Sequence, residues 1–394
     1  RELPMPEIAH KGYTPTIWES LAAAPHPSLS FQSSFWHSVA PAGPACTRLD
    51  GEARTEIAVV GGGFLGLSTA LHLAEAGHKV TLLEADEAGF GASGRNTGFV
   101  VPNLLTGLDP RYAKEKFGPE KGDLLVRMLG EGGDLVFDLI KRHEIDCWGK
   151  QWQALGRPVK LLSRDEAVAE TGSEAYHGAF LDPTGGHINP LAFVRGLAHA
   201  AVKAGVTLHI DSRATGIGKK GAEWHLQTDH GTLIADRVLL TTNSTGGGLA
   251  PKAEGTQFPI NRIVTGGLLA NPLGSLERGR THHLGRLQEL LPQLPKLEPE
   301  FAWQGRLAAA RDYMPRLMQL GDGAFSAISC NGRGIAMTTA LGRKLAYWLS
   351  GGSNEELPLP ITAPDPVLLP KLAPLAFSVW LPMGRREDAK DLRG

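Results

Sequence analysis

The strongest run of apolar positions lies between Ile57 and Leu83, and its period changes twice. Ile57–Val60 is unbroken apolar sequence, as in a strand buried on both faces. Phe64–Glu75 then carries apolar residues at helical spacing, and Lys79–Leu83 returns to strand character. The pattern predicts a parallel strand–helix–strand unit. Further on, Asp123–His143 has helical spacing through Leu124, Leu125, Met128, Leu135, Leu139 and Ile140. Short strand-like pieces follow around Cys147–Ala154 and Val159–Leu162, and Ser163 with Glu166 forms a capping box. Asn189 as cap and Pro190 at the first helical position open another helix, which Gly205 stops. Strands are predicted at Val206–Ile210, Ala214–Gly218, Glu223–Thr228, Thr232–Ala235, Arg237–Thr242, Pro259–Ala270, Phe301–Ala310 and Ala324–Ser329. Helices are predicted at Leu284–Leu291 and Ile335–Leu349. Residues 1–54 are proline-rich, with aromatic spots at Tyr13, Trp18, Phe31, Phe35 and Trp36 but no sustained period. They read as an extended arm laid over the body, or as a disordered tail. The last forty residues, again punctuated by proline, read as a terminal arm.

The turn inside the first unit carries chemistry. Gly61, Gly63 and Gly66 fit G-x-G-x-x-G, and Glu84 ends the second strand about twenty residues on. The first glycine makes the tight turn, the second admits a pyrophosphate, and the third brings helix against strand. The helix start offers N–H groups and a positive dipole end to phosphates, and Glu84 can accept from ribose hydroxyls. An ordinary tight βαβ turn is the alternative. Small residues dominate Gly89–Gly98, where the backbone either passes close to something bulky or forms a loose surface loop. Within that run Arg95 and Asn96 are candidates for hydrogen bonds to a ligand. The fingerprint alone leaves NAD and FAD open. FAD is favoured because the chain returns to glycine-lined element ends near Gly98, Asn243 and Gly334, and because a second βαβαβ half is lacking.

Composition narrows the setting. The 394 residues are enough for a large core and two domains, and a net charge of −1 gives no reason to expect nucleic acid or an anionic membrane as partner. Cys46, Cys147 and Cys330 stand far apart, without metal spacing, which fits a reducing compartment. No signal-like apolar run opens the chain and no window reads as a membrane span, so a cytoplasmic protein is expected. No metal is expected.

Ile57–Glu84 followed by Gly89-Phe-Gly-Ala-Ser-Gly-Arg-Asn96 resembles the D-amino-acid-oxidase/glycine-oxidase family of FAD-dependent oxidoreductases. Within it, the similarity is nearest to the branch that contains γ-glutamylputrescine oxidase. It continues through Tyr176-His-Gly178, His187-Ile-Asn-Pro190, Leu239–Asn243, Asp312–Pro315 and Asn331–Gly334. The resemblance implies an α/β fold, α+β overall: a Rossmann-like FAD-binding domain with a second, mixed-sheet substrate domain. The FAD domain is expected from 55–100, 187–256 and 316–394, and the substrate domain from 101–186 and 257–315. By the same resemblance Gly61, Gly63, Phe64, Leu65 and Gly66 face the pyrophosphate, and Glu84 with Ala85 the adenosine ribose. Ala92, Ser93, Arg95, Asn96, Thr97 and Gly98 run along the bridge, ribityl chain and ring edge. Thr215 lies near the adenine, Thr242 and Asn243 near the dinucleotide bridge, and Gly332, Gly334, Ile335 and Met337 at the flavin N1/C2=O edge. The implied reaction is oxidation of a C–N bond in an amine, amino acid or opine-like secondary amine, with oxygen or another electron acceptor. A dehydrogenase passing electrons to a redox partner, and a flavin-binding protein with lost catalysis, are the alternatives.

The chain departs from the family at two places. Thr97 stands where many relatives have glycine, and the connection Asn271–His283 is shorter than in relatives, so the substrate domain is expected to be reduced there. Relatives with covalent flavin carry a cysteine before Asp-x-x-Pro. Arg306–Arg311 has none, so FAD is expected to be non-covalent. Substrate-site candidates are Thr97, Trp303, Arg306 and Arg333. Strand alternation puts Trp303 and Arg306 on opposite faces, so at most one points inward. His187 reads as a capping or core histidine, with a catalytic base as the alternative.

Overall fold

The computed structural model describes residues 31–32, 34–101, 110–147, 160–176, 178–181, 185–243, 246, 248–254, 257–263, 276–310, 312–328 and 331–366. In chain order, α1 (Phe35–Val39) leads to β1 (Gly51–Val60), α2 (Phe64–Glu75) and β2 (Val80–Leu83). Next come β3 (Phe99–Val100), α3 (Pro110–Phe117), α4 (Pro119–Arg142), β4 (Lys160–Leu162), α5 (Arg164–Thr171), β5 (Ala179–Leu181) and β6 (Gly186–His187). α6 (Pro190–Lys203), β7 (Thr207–His209), β8 (Ala214–Lys220), β9 (Glu223–Thr228) and β10 (Gly231–Leu240) follow. The remainder is α7 (Pro251–Glu254), β11 (Gln257–Ile263), α8 (Leu276–Leu290), β12 (Gln304–Ala310), β13 (Arg316–Gly321), β14 (Ala324–Ile328), α9 (Gly334–Leu349) and β15 (Ile361–Thr362).

The main sheet runs β15-β13-β14-β10-β1-β2-β7, and β8 and β9 join it as a meander on β10. From β14 to β7 neighbouring strands are parallel. Such strands are covered on both faces, which is why Ile57–Val60 reads as an unbroken apolar run and every residue of Val80–Leu83 is buried. Ile57 and Val59 are fully buried in the main core, each contributing roughly 1.5–3 kcal/mol relative to exposure. α2 covers the sheet, buried on nearly every side from Phe64 to Leu73. α9 crosses it so closely that a β-carbon on Gly342 would lie 2.7 Å from the Ser68 side chain, whose hydroxyl donates to Thr339 O at 2.7 Å.

Registry sets the position of the site. Val60 lies opposite Leu240 on one side and Leu83 on the other, Leu83 opposite His209, and Leu240 opposite Ser326. The carboxyl ends of five parallel strands therefore share one edge, and the segments leaving them emerge side by side.

Several expectations need correction. Thr232–Ala235 and Arg237–Thr242 are one strand, β10. β9 leaves its edge at Ala235 and β14 takes over at Val238, so polar Asp236 and Arg237 fall at the handover while pairing with β1 continues. β13 is an addition to the predicted strands; polar Arg316 and Gln319 flank its only apolar pair, Leu317 and Met318, and hid the pattern. The arm does not stop at residue 54, because Gly51–Arg54 already belong to β1, pairing with β10 from Gly231 onward. Phe31 and Trp36 sit in the main core, not in surface grooves. Residues 350–366, after α9, are likewise docked: Leu357 and Leu359 are buried and β15 pairs with β13. α8 starts at Leu276, earlier than the predicted Leu284. The strand predicted at Cys147–Ala154 falls mostly outside the described residues, as do Tyr13 and Trp18. The capping box at Ser163 forms both of its bonds.

Candidate cofactor site at the carboxyl edge of the sheet

The turn after β1 is built as the fingerprint requires. Gly61 has φ +113°, and its N–H donates to Leu83 O at 2.9 Å, locking the turn to β2. A β-carbon on Gly66 would lie 2.0 Å from Gly61 O, so the helix can approach the strand only with glycine there. Gly63 is the N-cap of α2 and has no side chain to cap it. The adjacent Phe64 N–H instead donates to Ser93 Oγ at 3.1 Å, which brings the two glycine-rich segments together. Leu65 follows in the first turn, buried against the core.

Glu84 leaves β2 beside this turn. Its carboxylate accepts from Gly62 N–H at 2.5 Å and from Asp86 N–H at 3.0 Å. Burial pushes the carboxyl up to about 7, against the pull of those two N–H bonds. On its far side, Glu84 O accepts from Ser212 N–H and Glu84 N–H donates to His209 O, both at 2.8 Å. Ala85 continues along this edge.

Sequence reading missed Thr241. Its hydroxyl donates to Val60 O at 2.8 Å and to Gly61 O at 3.2 Å, so it holds the glycine turn from the neighbouring strand. Thr242 and Asn243 follow directly, Asn243 with φ +48°. No local motif marks position 241; only the β1–β10 register places it there.

In the segment from Gly89 to Gly98, Ala92–Gly94 forms a single 3-10 turn. Gly98 has φ +80°, and a β-carbon there would lie 2.1 Å from Ile188 O. The glycine run is packed against Ile188 and α6, so the loose-loop alternative is excluded. Asn96 turns inward: its amide donates to Ser93 O at 2.7 Å and Ala92 O at 3.2 Å, and its oxygen accepts from Gly98 N–H at 2.9 Å. Its side chain shapes the segment. Arg95 is 2% exposed, with its guanidinium 4.9 and 4.8 Å from the centroids of the adjacent Phe31 and Phe90 rings and Nε donating to Phe90 O at 2.8 Å. Burial lowers its pKa to about 10, with Asp86 and Glu87 opposing.

Indoles reach the same segment from two sides. Trp303 Nε1 donates to Arg95 O at 3.0 Å and Trp36 Nε1 to Asn96 O at 2.9 Å. A β-carbon on Gly305 would also face Arg95 at 3.4 Å, so residues 303 and 305 share the inward face, as alternation predicted. The side chain of Arg306 lies outside the described residues. His187 is half-buried, its Nε2 2.8 Å from Thr97 O and its ring 5.2 Å from exposed Phe99.

Asn331, at φ +50°, accepts from Ala310 N–H at 2.8 Å through its side chain and, with Gly332 at φ +84°, turns the chain into α9. Arg333 is the N-cap residue of α9 and burial lowers its pKa. Gly334, Ile335 and Met337 form the first turn, the last two buried. Thr215 stands apart on the meander, exposed, its hydroxyl on Gln227 O at 3.3 Å. Among the described residues no group of three His, Cys, Asp or Glu side chains could hold a metal, and no helix is long and apolar enough to cross a membrane.

A helix start whose cap residue, Gly63, carries no side chain, a turn too tight for any β-carbon and a desolvated carboxylate at the next strand end are a fitting cradle for a dinucleotide. Comparison with known proteins agrees. Residues 56–277 match the FAD dependent oxidoreductase family DAO. The γ-glutamylputrescine oxidoreductase of Escherichia coli (strain K12) is 26% identical over 362 residues, 76% of this chain and 84% of that protein. A probable oxidoreductase, OrdL, of Rhizobium meliloti (strain 1021) is 26% identical over 82% of this chain and 89% of its own length. The crystal structure of glycine oxidase from Geobacillus kaustophilus shares the fold at a TM-score of 0.61 and 20% identity, covering 76% of this chain and 96% of that one. With the glycine turn, the strand-end acid and the family match all falling on the same segment, the chain belongs to the DAO family of FAD-dependent oxidoreductases.

Proposed function

We propose that this chain oxidises the C–N bond of an amine, amino acid or opine-like secondary amine, using FAD held at the carboxyl edge of the sheet. The observation that carries the reading is the convergence of the Gly61 turn, Glu84 and Thr241 on one edge, with the 331–334 turn leaving the adjacent strand β14. FAD, when bound, supplies the two-electron acceptor for the carbon that bears the nitrogen. The N–H groups of the α2 start, at Gly63, Leu65 and Gly66, would hold its phosphates, with Phe64 tied to Ser93 beside them and the helix dipole helping. Glu84 with Ala85 would take the adenosine ribose, and Thr215 would lie toward the adenine. Ala92, Ser93, Arg95, Asn96, Thr97 and Gly98 would form the wall along the rest of the cofactor, with Thr242 and Asn243 across from it. The start of α9, at Gly332, Gly334, Ile335 and Met337, would present its positive end to the flavin edge that gains negative charge.

Thr97, Trp303, Arg306 and Arg333 are our candidates for the substrate side. An amine that arrives neutral needs no dedicated base from the protein. Relatives named for γ-glutamylputrescine and for glycine support this substrate class. We assign 55–100, 187–256 and 316–394 to the FAD domain and 101–186 with 257–315 to the substrate domain. The cofactor is held without a covalent bond, oxygen or a redox partner takes the electrons, and the protein is cytoplasmic. A second reading, flavin binding without turnover, is favoured by the substrate side: among the described residues β11 and β12 pair only with each other.

The absorption spectrum of the purified protein tests the cofactor. A flavin spectrum, with the colour leaving the polypeptide on acid denaturation, is expected; a colourless protein that takes up no FAD would sink the reading. Anaerobic bleaching by one of a panel of amines, amino acids and opines is expected as well. A yellow protein that no member bleaches would favour the second reading. Oxygen uptake during turnover separates the two electron acceptors.

A further inference from the structure

The segment before β1 lies outside the family match, which begins at residue 56, yet it touches the candidate site at both ends. At one end Trp36 donates to Asn96 O at 2.9 Å, and Phe31 stacks on the Arg95 guanidinium and packs 5.2 Å from Phe90. Trp303, which donates to the preceding carbonyl, Arg95 O, lies edge-on to Trp36 with ring centroids 6.3 Å apart. Two indoles from distant parts of the sequence thus grip consecutive carbonyls of one segment. Both are buried, at 5% and 8% exposure, so neither bond competes with water. In its middle the segment is fixed to α6: Arg195 bridges Pro41 O and Glu87 at 2.8 Å each, and His199 meets Ala42 O at 3.0 Å. At its other end Leu49 N–H donates to Ser212 Oγ at 2.8 Å, and Ser212 N–H in turn holds Glu84 O.

We infer that Phe31 and residues 34–50 are a strap that belongs to the cofactor site, and that Trp36 and Trp303 are its positioning residues, acting through the carbonyls of Asn96 and Arg95. The inference rests on the reading of Ala92–Gly98 as one wall of the FAD site. The physical argument is orientation. A peptide carbonyl held by an indole fixes the plane of its peptide unit, and with it the next N–H along the chain. Locking the carbonyls of 95 and 96 fixes the N–H groups of 96 and 97, including Thr97, where this chain departs from glycine. Asn96 and the Arg95 Nε–Phe90 O bond shape the segment from inside. The body holds it at Ser93 through Phe64 N–H, at Thr97 through His187 and at Gly98 through Ile188 N–H, and the two indoles hold the carbonyls of 95 and 96 between them.

The test uses the full chain and its Trp36→Phe and Trp303→Phe variants, which keep a ring and remove the donor. Apoprotein is titrated with FAD, and the visible circular dichroism of the bound flavin and the melting point of the apoprotein are recorded. Each variant is expected to weaken FAD binding about 3- to 10-fold and to alter the flavin dichroism, the range a buried hydrogen bond gives. Trp348→Phe, which removes an exposed indole bond to the Asn354 side chain at the opposite end of α9, is the control and is expected to change neither. A lower melting point with unchanged FAD affinity and dichroism would overturn the proposal, leaving the strap a stability element alone. Should a variant fail to fold, hydrogen exchange of the wild-type chain decides: residues 34–40 and 92–98 are expected to gain protection together on adding FAD, and protection confined to 92–98 overturns it. A wild-type chain that binds no FAD would instead refute the reading of the site, an outcome distinct from the others.

Discussion

The two glycine-rich segments of the site, Gly61–Gly66 and Gly89–Gly98, look alike in composition and are built on different physics. In the first, glycine answers to its own neighbours: Gly61 takes a positive φ and Gly66 sits 2.0 Å, β-carbon to carbonyl, from a residue five positions away. Strand, turn and helix dictate it locally. In the second, glycine answers to distant chain: Gly98 lies against Ile188, and the polar residues between the glycines are held by Trp36, Trp303 and Phe31. A local motif keeps its meaning wherever it folds, whereas the second segment acquires its shape only when the strap, β12 and α6 have assembled around it.

That difference can be tested, beginning with the largest effect. Gly66→Ala places a β-carbon into Gly61 O and 2.7 Å from the Thr241 hydroxyl, both fixed by the sheet. It is expected to cost about 3 kcal/mol of unfolding free energy and to abolish FAD uptake, read by urea denaturation and cofactor titration. Gly98→Ala combines a positive φ with a clash against Ile188 O, but at the short β3–β6 pair, where the chain can yield. About 2 kcal/mol is expected, with faster hydrogen exchange confined to the neighbouring residues. If both variants lost the same stability with the same spread of exchange, the two segments would be equivalent after all. Asn96→Ala removes three bonds inside the second segment and is expected to cost about 1–2 kcal/mol, leaving the βαβ unit intact by exchange.

A pH dependence of the first segment is also expected. The Glu84 carboxyl titrates near 7 in the fold against an ordinary value of 4.5. With the folded value raised, its contribution to stability is complete below about pH 4.5 and is lost as pH rises through about 7. The apoprotein's melting point should therefore fall across that window, and Glu84→Gln should flatten the fall. An identical slope in the variant would mean that Glu84 is better solvated than its burial suggests.

Much of the α/β frame was legible. The α2 boundaries, the Asn189 cap and the Ser163 capping box depend on spacing and on backbone groups within a few residues, so pattern alone finds them. β13 and β15 were not legible, because a short edge strand has little periodicity and exists only through its partner. Thr241 escaped for the same reason: a threonine at a strand end is ordinary until registry sets it over Gly61. Arg95 and Asn96 were noticed as polar residues in a glycine run, but which groups they would meet is not a local property.

The sequence by itself determined the βαβ turn, its glycines and the acid at the end of β2, since period, φ and helix–strand approach are written within about thirty residues. Only the tertiary structure decided that Phe31 and residues 34–50 lie against the site with Trp36 in the core, that two indoles hold adjacent carbonyls, and that Asn96 faces its own loop. A hydrogen-bond donor carries no record of its partner. The partner is fixed by which surfaces are buried together, and burial is a property of the whole chain.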